Sequence, residues 1–131
     1  AEAVVAAVVD YDPSMAILGL PDSALLTAAD AAGLESVGEA LADRAYLADG
    51  GLVPRAEPGS VLTDLEQIAE RVVRIAIERT VTAIDGTAVS VSASSMCVHG
   101  DTPGAVGIAR AVRSAFVAAG VELRSFVRPD S

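Results

Sequence analysis

Ser95-Met96-Cys97-Val98-His99-Gly100-Asp101-Thr102-Pro103-Gly104 places the single histidine of the chain where a strand gives way to a helix. Ser95 to Val98 is a short apolar run, and an apolar pattern of helical period begins just after Pro103. Thr102 is suited to cap that helix, and Pro103 to its first position, where a missing N–H costs nothing. His99 and Asp101 are then expected at the carboxyl end of a strand, beside the free N–H groups of a helix start. In α/β proteins that is where ligands and chemistry are usually held. The plainer alternative is that Asp101 and Thr102 only terminate a helix while His99 packs on the turn.

Upstream, residues 1–9 read as the second half of a helix beginning earlier, with Tyr11-Asp12-Pro13-Ser14 as the turn that follows. Met15 to Leu20 is a continuous apolar run, as in a strand buried on both faces. Pro21-Asp22-Ser23 opens a helix over Ala24 to Ala32 that Gly33 closes. Leu34 to Leu41 reads as a second strand, with Val37 and Leu41 on its apolar face. A long connection from Ala42 to Leu62 carries turn residues and the apolar anchors Leu47, Leu52 and Val53. Connections of this length are usually functional or disordered, and the anchors favour an ordered, functional loop.

Thr63-Asp64-Leu65-Glu66 has the form of a capping box with Thr63 at the cap. The helix after it presents Leu65, Ile68, Ala69, Val72, Ile75 and Ala76 on one face, with Glu70 and Arg74 spaced to pair on the other. Val81 to Val91 alternates about Asp85-Gly86, a strong hairpin signal. The final helix, Pro103 to Ala119, is expected to bury Ile108, Val112, Ala115 and Phe116, expose Arg110 and Arg113, and stop at Gly120. Strands alternating with helices imply parallel pairing, and hence an α/β fold.

At 131 residues the chain suits a single domain over 1–131, and too few strands are visible for a full barrel. Apolar residues make up 52 % of it with only four aromatics, so Ala, Val, Leu and Ile must fill the core. All nine basic residues are arginine, and the net charge is −9. Such a charge repels phosphate backbones and anionic lipid, which argues against nucleic acid or a membrane surface as partner. No run reaches the roughly 18–20 apolar residues of a membrane span. A lone Cys97 fits a cytoplasmic location and a small apolar packing role.

Groups able to do chemistry collect at three places: Glu39 with Asp43 and Arg44, Arg55 in the long loop, and His99 with Asp101. Parallel strands would bring these ends to one face. Histidine changes charge near neutral pH and, beside carboxylates, suits general acid–base work. Arginines in a loop suit two-pronged recognition of a carboxylate or phosphate. Each has a plainer alternative: a solvated strand end for Glu39, a surface ion pair for Asp43 and Arg44, a solvated loop charge for Arg55. One histidine with scattered carboxylates shows no metal-ligand spacing, and no P-loop, dinucleotide fingerprint or nucleophile elbow is present.

Glu39-Ala40-Leu41-Ala42-Asp43-Arg44-Ala45-Tyr46, Asp49-Gly50-Gly51-Leu52-Val53-Pro54-Arg55 and Pro58-Gly59-Ser60-Val61 closely resemble a block of the LamB/YcsF family, the A subunits of 5-oxoprolinase. Val81-Thr82-Ala83-Ile84-Asp85-Gly86 and Cys97-Val98-His99-Gly100-Asp101-Thr102-Pro103 match further blocks in order. The one departure is Leu41 where the family has Phe. The resemblance covers nearly the whole chain but only the C-terminal half of the family; the motifs of its other half, rich in Asp, His and Gly, are not in this sequence.

The resemblance implies half of a distorted (β/α) barrel of the glycoside hydrolase/deacetylase type. It also implies an enzyme that opens the lactam of 5-oxoproline to L-glutamate, with ATP as co-substrate and two partner subunits. On that scheme His99 and Asp101 handle protons, and Glu39 orients the water or its base. Arg44 and Arg55 hold the substrate carboxylate or phosphate, with Asp43 and Tyr46 beside them. A half barrel exposes sheet edges and an apolar interior, so it should pair with the missing N-terminal half or with a second copy. Two other readings remain open: a non-catalytic fragment or assembly module of the complex and, by fold analogy alone, a metal-dependent deacetylase-like hydrolase.

Overall fold

Glu2–Tyr11, rich in Ala and Val, forms the first helix, α1, in a computed structural model that describes residues 1–126. The chain then runs β1 (Ile17–Gly19), α2 (Ala24–Ala31), β2 (Ser36–Leu41), α3 (Leu65–Glu78), β3 (Thr80–Thr82), β4 (Ala88–Ser90), β5 (Ser95–Cys97) and α4 (Ala105–Ala118). This is an α/β fold, with one sheet of order β1-β2-β5 and a second made of β3 and β4. The strands expected from Met15 and Leu34 start later, at Ile17 and Ser36. The single domain expected over 1–131 extends past the described residues. Within them the chain divides into two compact units, one mainly Ala1–Ala40 with Ser92–Ser95, the other Leu41–Val91 with Met96–Arg124.

In the first unit β1 and β2 pair in parallel, Ile17 opposite Ser36 and Gly19 opposite Gly38, joined through α2 as parallel strands require. Ser23 caps α2, its hydroxyl accepting from Leu26 N–H at 3.3 Å. At the other end Leu34 N–H bonds Ala29 C=O and Gly33 N–H bonds Asp30 C=O. That bond pair needs a left-handed residue, and Gly33 supplies it at φ 76°. Val5, Ile17, Leu26, Ala29 and Leu34 close the apolar core. Asp12 ends the turn after α1 by accepting from the Ser14 hydroxyl and N–H, which together hold its carboxyl below the usual range.

The second unit is built on α3 against α4, whose Ile68, Val72, Ile108, Val112 and Phe116 are buried together with Ala42. Ala115, expected in this core, is half-buried against it. Leu65, expected on the apolar face, lies a turn too early and is 44 % exposed. The capping box is shifted by one residue: Asp64, not Thr63, caps α3, accepting from Gln67 N–H at 2.8 Å. A carboxylate at that position also answers the positive end of the helix dipole. Arg74 does not pair with Glu70; its Nη1 donates to Thr82 Oγ1 at 3.0 Å.

The hairpin turns at Asp85-Gly86 as expected, with Thr80 opposite Ser90 and Thr82 opposite Ala88. Asp85 accepts from Thr87 N–H at 2.9 Å, and that bond holds its carboxyl below the usual range. The last helix starts at Ala105 rather than Pro103, with Gly104 as its N-cap and no side-chain cap bond. Gly120, at φ 70°, stops it through the same bond pair as Gly33, from Val121 N–H and its own N–H. Among the described residues no helix is long and apolar enough to cross a membrane.

Two backbone positions generate stability predictions. A Cβ on Gly38 would stand 2.5 Å from the Ser92 carbonyl oxygen, which cannot move aside because Ser94 N–H bonds Gly38 C=O at 2.9 Å. Gly38→Ala is expected to destabilise by about 1–3 kcal/mol, the usual cost of overpacking, read from urea unfolding. Arg79 closes α3 in the left-handed region at φ 57°. Arg79→Gly is expected to raise stability by up to about 1 kcal/mol, because only glycine enters that region without a Cβ penalty.

Candidate active site

Ala42 N–H donates to Cys97 C=O at 3.0 Å, so the residues that follow β2 and β5 leave those strands side by side. Asp43 and His99 meet there. Asp43 Oδ1 lies 2.7 Å from His99 Nδ1, although the two are 56 residues apart in sequence. Asp43 Oδ2 accepts from the Thr102 hydroxyl at 2.9 Å. The carboxylate has no exposed surface, while 19 % of the His99 side chain remains exposed. A carboxylate withdrawn from water to this degree would cost several kcal/mol without partners. Here both of its oxygens are bonded.

This arrangement sets the chemistry of the imidazole. A carboxylate accepts, so Nδ1 of the ring donates to Asp43, and whenever the ring is neutral Nε2 carries the lone pair. No described residue bonds Nε2. A histidine oriented through one nitrogen by a buried carboxylate, and reachable through the other, is equipped to take a proton from water and return it to a leaving group.

The loop after Asp43 is held by its own side chains. Arg44, 7 % exposed, donates from Nε to Ser60 C=O at 3.2 Å and from Nη2 to Val53 C=O at 2.6 Å. Short antiparallel bridges join Arg44 to Val61 and Tyr46 to Leu52. Leu62 N–H closes the loop onto Asp43 C=O at 2.8 Å. Tyr46 is buried, and its hydroxyl oxygen accepts from Leu41 N–H at 2.9 Å, which ties the loop to the end of β2. Arg71 reaches across from α3, its guanidinium carbon 5.2 Å from the Tyr46 ring centroid and its Nη2 on Arg44 C=O at 2.5 Å.

The residues singled out from the sequence thus fall into separate groups. His99 and Asp43 are brought together, Asp43 as the partner of the histidine rather than as a surface ion pair with Arg44. The Arg44 guanidinium is committed to two backbone carbonyls and braces the loop, a placement unlike the expected anion clamp. Tyr46 is likewise enclosed in the loop. Asp101 is exposed next to Thr102, and Arg55 is exposed in the loop. Glu39 is half-buried and belongs to the first unit, whereas the His99 pair belongs to the second. Among the described residues no three His, Cys, Asp or Glu side chains gather as a metal site would.

Two residues, Thr102 in this centre and Arg71 beside the loop, carry no clear signal of their contacts in the sequence. Thr102, expected to cap α4, turns its hydroxyl to Asp43 instead. Arg71 lies beside the apolar stripe of α3, and only the folded loop reveals its contact with Tyr46.

Comparison with known proteins gives the same blocks a context. Residues 1–130 match the model of the LamB/YcsF family. A protein of Streptomyces coelicolor, named as the A subunit of 5-oxoprolinase, is 55 % identical over 126 residues, 96 % of this chain and 50 % of that protein. One from Agrobacterium fabrum, named as a first 5-oxoprolinase A subunit, is 49 % identical over 95 % of this chain and 49 % of its own. The crystal structure of a lactam utilization protein from Thermus thermophilus superposes with a TM-score of 0.88 at 44 % identity, covering 95 % of this chain and 49 % of that one. The chain spans about half the length of the curated relatives it matches. With the family model matched almost end to end and relatives at this level of identity, the chain belongs to the LamB/YcsF family.

Proposed function

We propose that this chain supplies the proton-transfer centre of an enzyme that opens the lactam ring of 5-oxoproline to L-glutamate. The observation that carries the reading is the buried Asp43 carboxylate, held by Thr102 and orienting a partly exposed His99. The names of the relatives, a 5-oxoprolinase component and a lactam utilization protein, support the substrate class. In this reading the chain forms part of a distorted (β/α) barrel completed by the length its relatives have in addition, and works in the cytoplasm. Exposed Val106 and Val117 on α4 and Ile77 on α3 offer apolar surface for association with partner subunits.

A five-membered lactam is an unreactive electrophile at neutral pH, and coupling to ATP answers that difficulty. Transfer of the terminal phosphoryl group to the lactam oxygen releases ADP and makes the ring carbon attackable. Water then adds to that carbon. His99 Nε2 takes the proton of the attacking water and returns it to the ring nitrogen as the C–N bond breaks. A second water hydrolyses the resulting acyl phosphate to the side-chain carboxylate of glutamate and inorganic phosphate. Asp43 stabilises the imidazolium formed on the way, and Thr102 keeps Asp43 aligned. Asp101, exposed two residues after His99, is available to protons, and Arg55, exposed in the loop, to the substrate carboxylate.

The test replaces the matching half of the Streptomyces coelicolor relative with this chain. With ATP and the partner subunits present, glutamate release from 5-oxoproline is then measured. The exchanged protein is expected to be active, and His99→Ala to lower kcat by roughly 100-fold or more, the usual share of general acid–base catalysis. Full activity in a folded His99→Ala variant would remove the histidine from the chemistry. Thr102→Val, which leaves one buried carboxylate oxygen without its donor, is expected to cost about 1–3 kcal/mol of unfolding stability in urea. The same variant should lower kcat less than His99→Ala does, because it removes alignment and not the proton carrier.

A further inference from the structure

The second unit contains a cavity of about 370 Å³ between α3, the β3 edge and the loop that follows Asp43. Gln67, Glu70, Arg71 and Arg74 line it from successive turns of α3, and Thr82 and Ile84 face them from the hairpin. None of its side chains belongs to the Asp43–His99–Thr102 centre. Two guanidinium groups therefore border one small concave space, in a chain whose net charge is −9.

Neither arginine is neutralised by a carboxylate. Arg71 bonds a backbone carbonyl and stacks on Tyr46, Arg74 bonds the Thr82 hydroxyl, and among the described residues neither forms an ion pair. Arg71 is half-buried, and its Nε is enclosed without a hydrogen-bond partner. Burial accordingly pulls its guanidinium below the usual value, against a smaller opposing effect of Tyr46. A cation withdrawn from water without a counter-charge is unfavourable, and proteins pair such charges. Glu70 stands one position along the helix yet bonds neither arginine. A planar guanidinium fork is suited to carboxylate and phosphate oxygens.

We propose that this cavity binds the carboxylate or phosphate group of a small metabolite. Arg71 and Arg74 hold the anionic oxygens, Gln67 and Thr82 add neutral hydrogen bonds, and Glu70 is placed to accept from an N–H or O–H of the same molecule. The volume suits an amino-acid-sized ligand. Binding here stands apart from lactam opening, since it is an equilibrium property of side chains outside the His99 centre.

The experiment is isothermal titration calorimetry of the chain with inorganic phosphate and, separately, with L-glutamate. Saturable binding of either probe is expected, and the stronger of the two identifies the anionic group the cavity prefers. Arg71→Met, which keeps the stem over Tyr46 but removes the charge, should weaken binding roughly tenfold or more, the loss of a charge-assisted hydrogen bond. Arg74→Gln, at an exposed position where folding is not at stake, should weaken it in the same direction, while Arg110→Gln on the outer face of α4 should leave it unchanged. No binding of either probe, or binding indifferent to Arg74→Gln, would overturn the proposal.

Discussion

A carboxylate without exposed surface has to be answered from within the protein, and at Asp43 the answer comes from two directions at once. His99 donates to one oxygen and Thr102 to the other. The two donors lie on the segment between β5 and α4, far from Asp43 in sequence. Their meeting depends on the Ala42 to Cys97 backbone bond that sets the two strand ends side by side. Helix α4 begins only at Ala105 behind Gly104, so Thr102 lies outside its cap position. Its hydroxyl is turned to a buried charge, where an unmade bond would cost about 1–3 kcal/mol.

The loop from Ala42 to Leu62 is the second consequence of that burial. A segment of this length would ordinarily be mobile, and a mobile segment could not hold Asp43 to a fixed position. Arg44 prevents this by bonding two carbonyls of the loop from inside it, and Tyr46 by bonding back to Leu41. Arg71 joins the loop to α3 through the Tyr46 ring and the Arg44 carbonyl. The arginine next to the buried carboxylate is thus a structural element, although its residue type would equally suit a ligand. Charge alone does not separate the two roles; the direction of the side chain does.

Family membership and half coverage of the relatives set the scale on which this centre operates. The pair Asp43 and His99 is complete within this chain, in one compact unit. The same unit leaves Val106 and Val117 on α4 and Ile77 on α3 as exposed apolar side chains.

Local rules that act over a few residues are legible in the sequence. Gly33 and Gly120 end their helices in the left-handed conformation, Ser23 caps α2, Asp85-Gly86 turns the hairpin, and α3 and α4 each carry an apolar stripe. Where two adjacent residues could satisfy one rule, the sequence is ambiguous, as at Thr63 and Asp64 before α3. His99 is marked as a functional candidate by its place after a strand, and Asp43 by its charge. Which carboxylate meets that histidine is not readable, because Glu39, Asp43 and Asp101 are equivalent until the backbone brings one of them within 2.7 Å. The order of helices and strands, their stops and their apolar faces are thus properties of the sequence alone, since each follows from interactions between near neighbours. That Thr102 serves Asp43 instead of its helix, and Arg44 the loop instead of a ligand, is a property of the folded chain. Those bonds close across long separations and depend on where burial removes water.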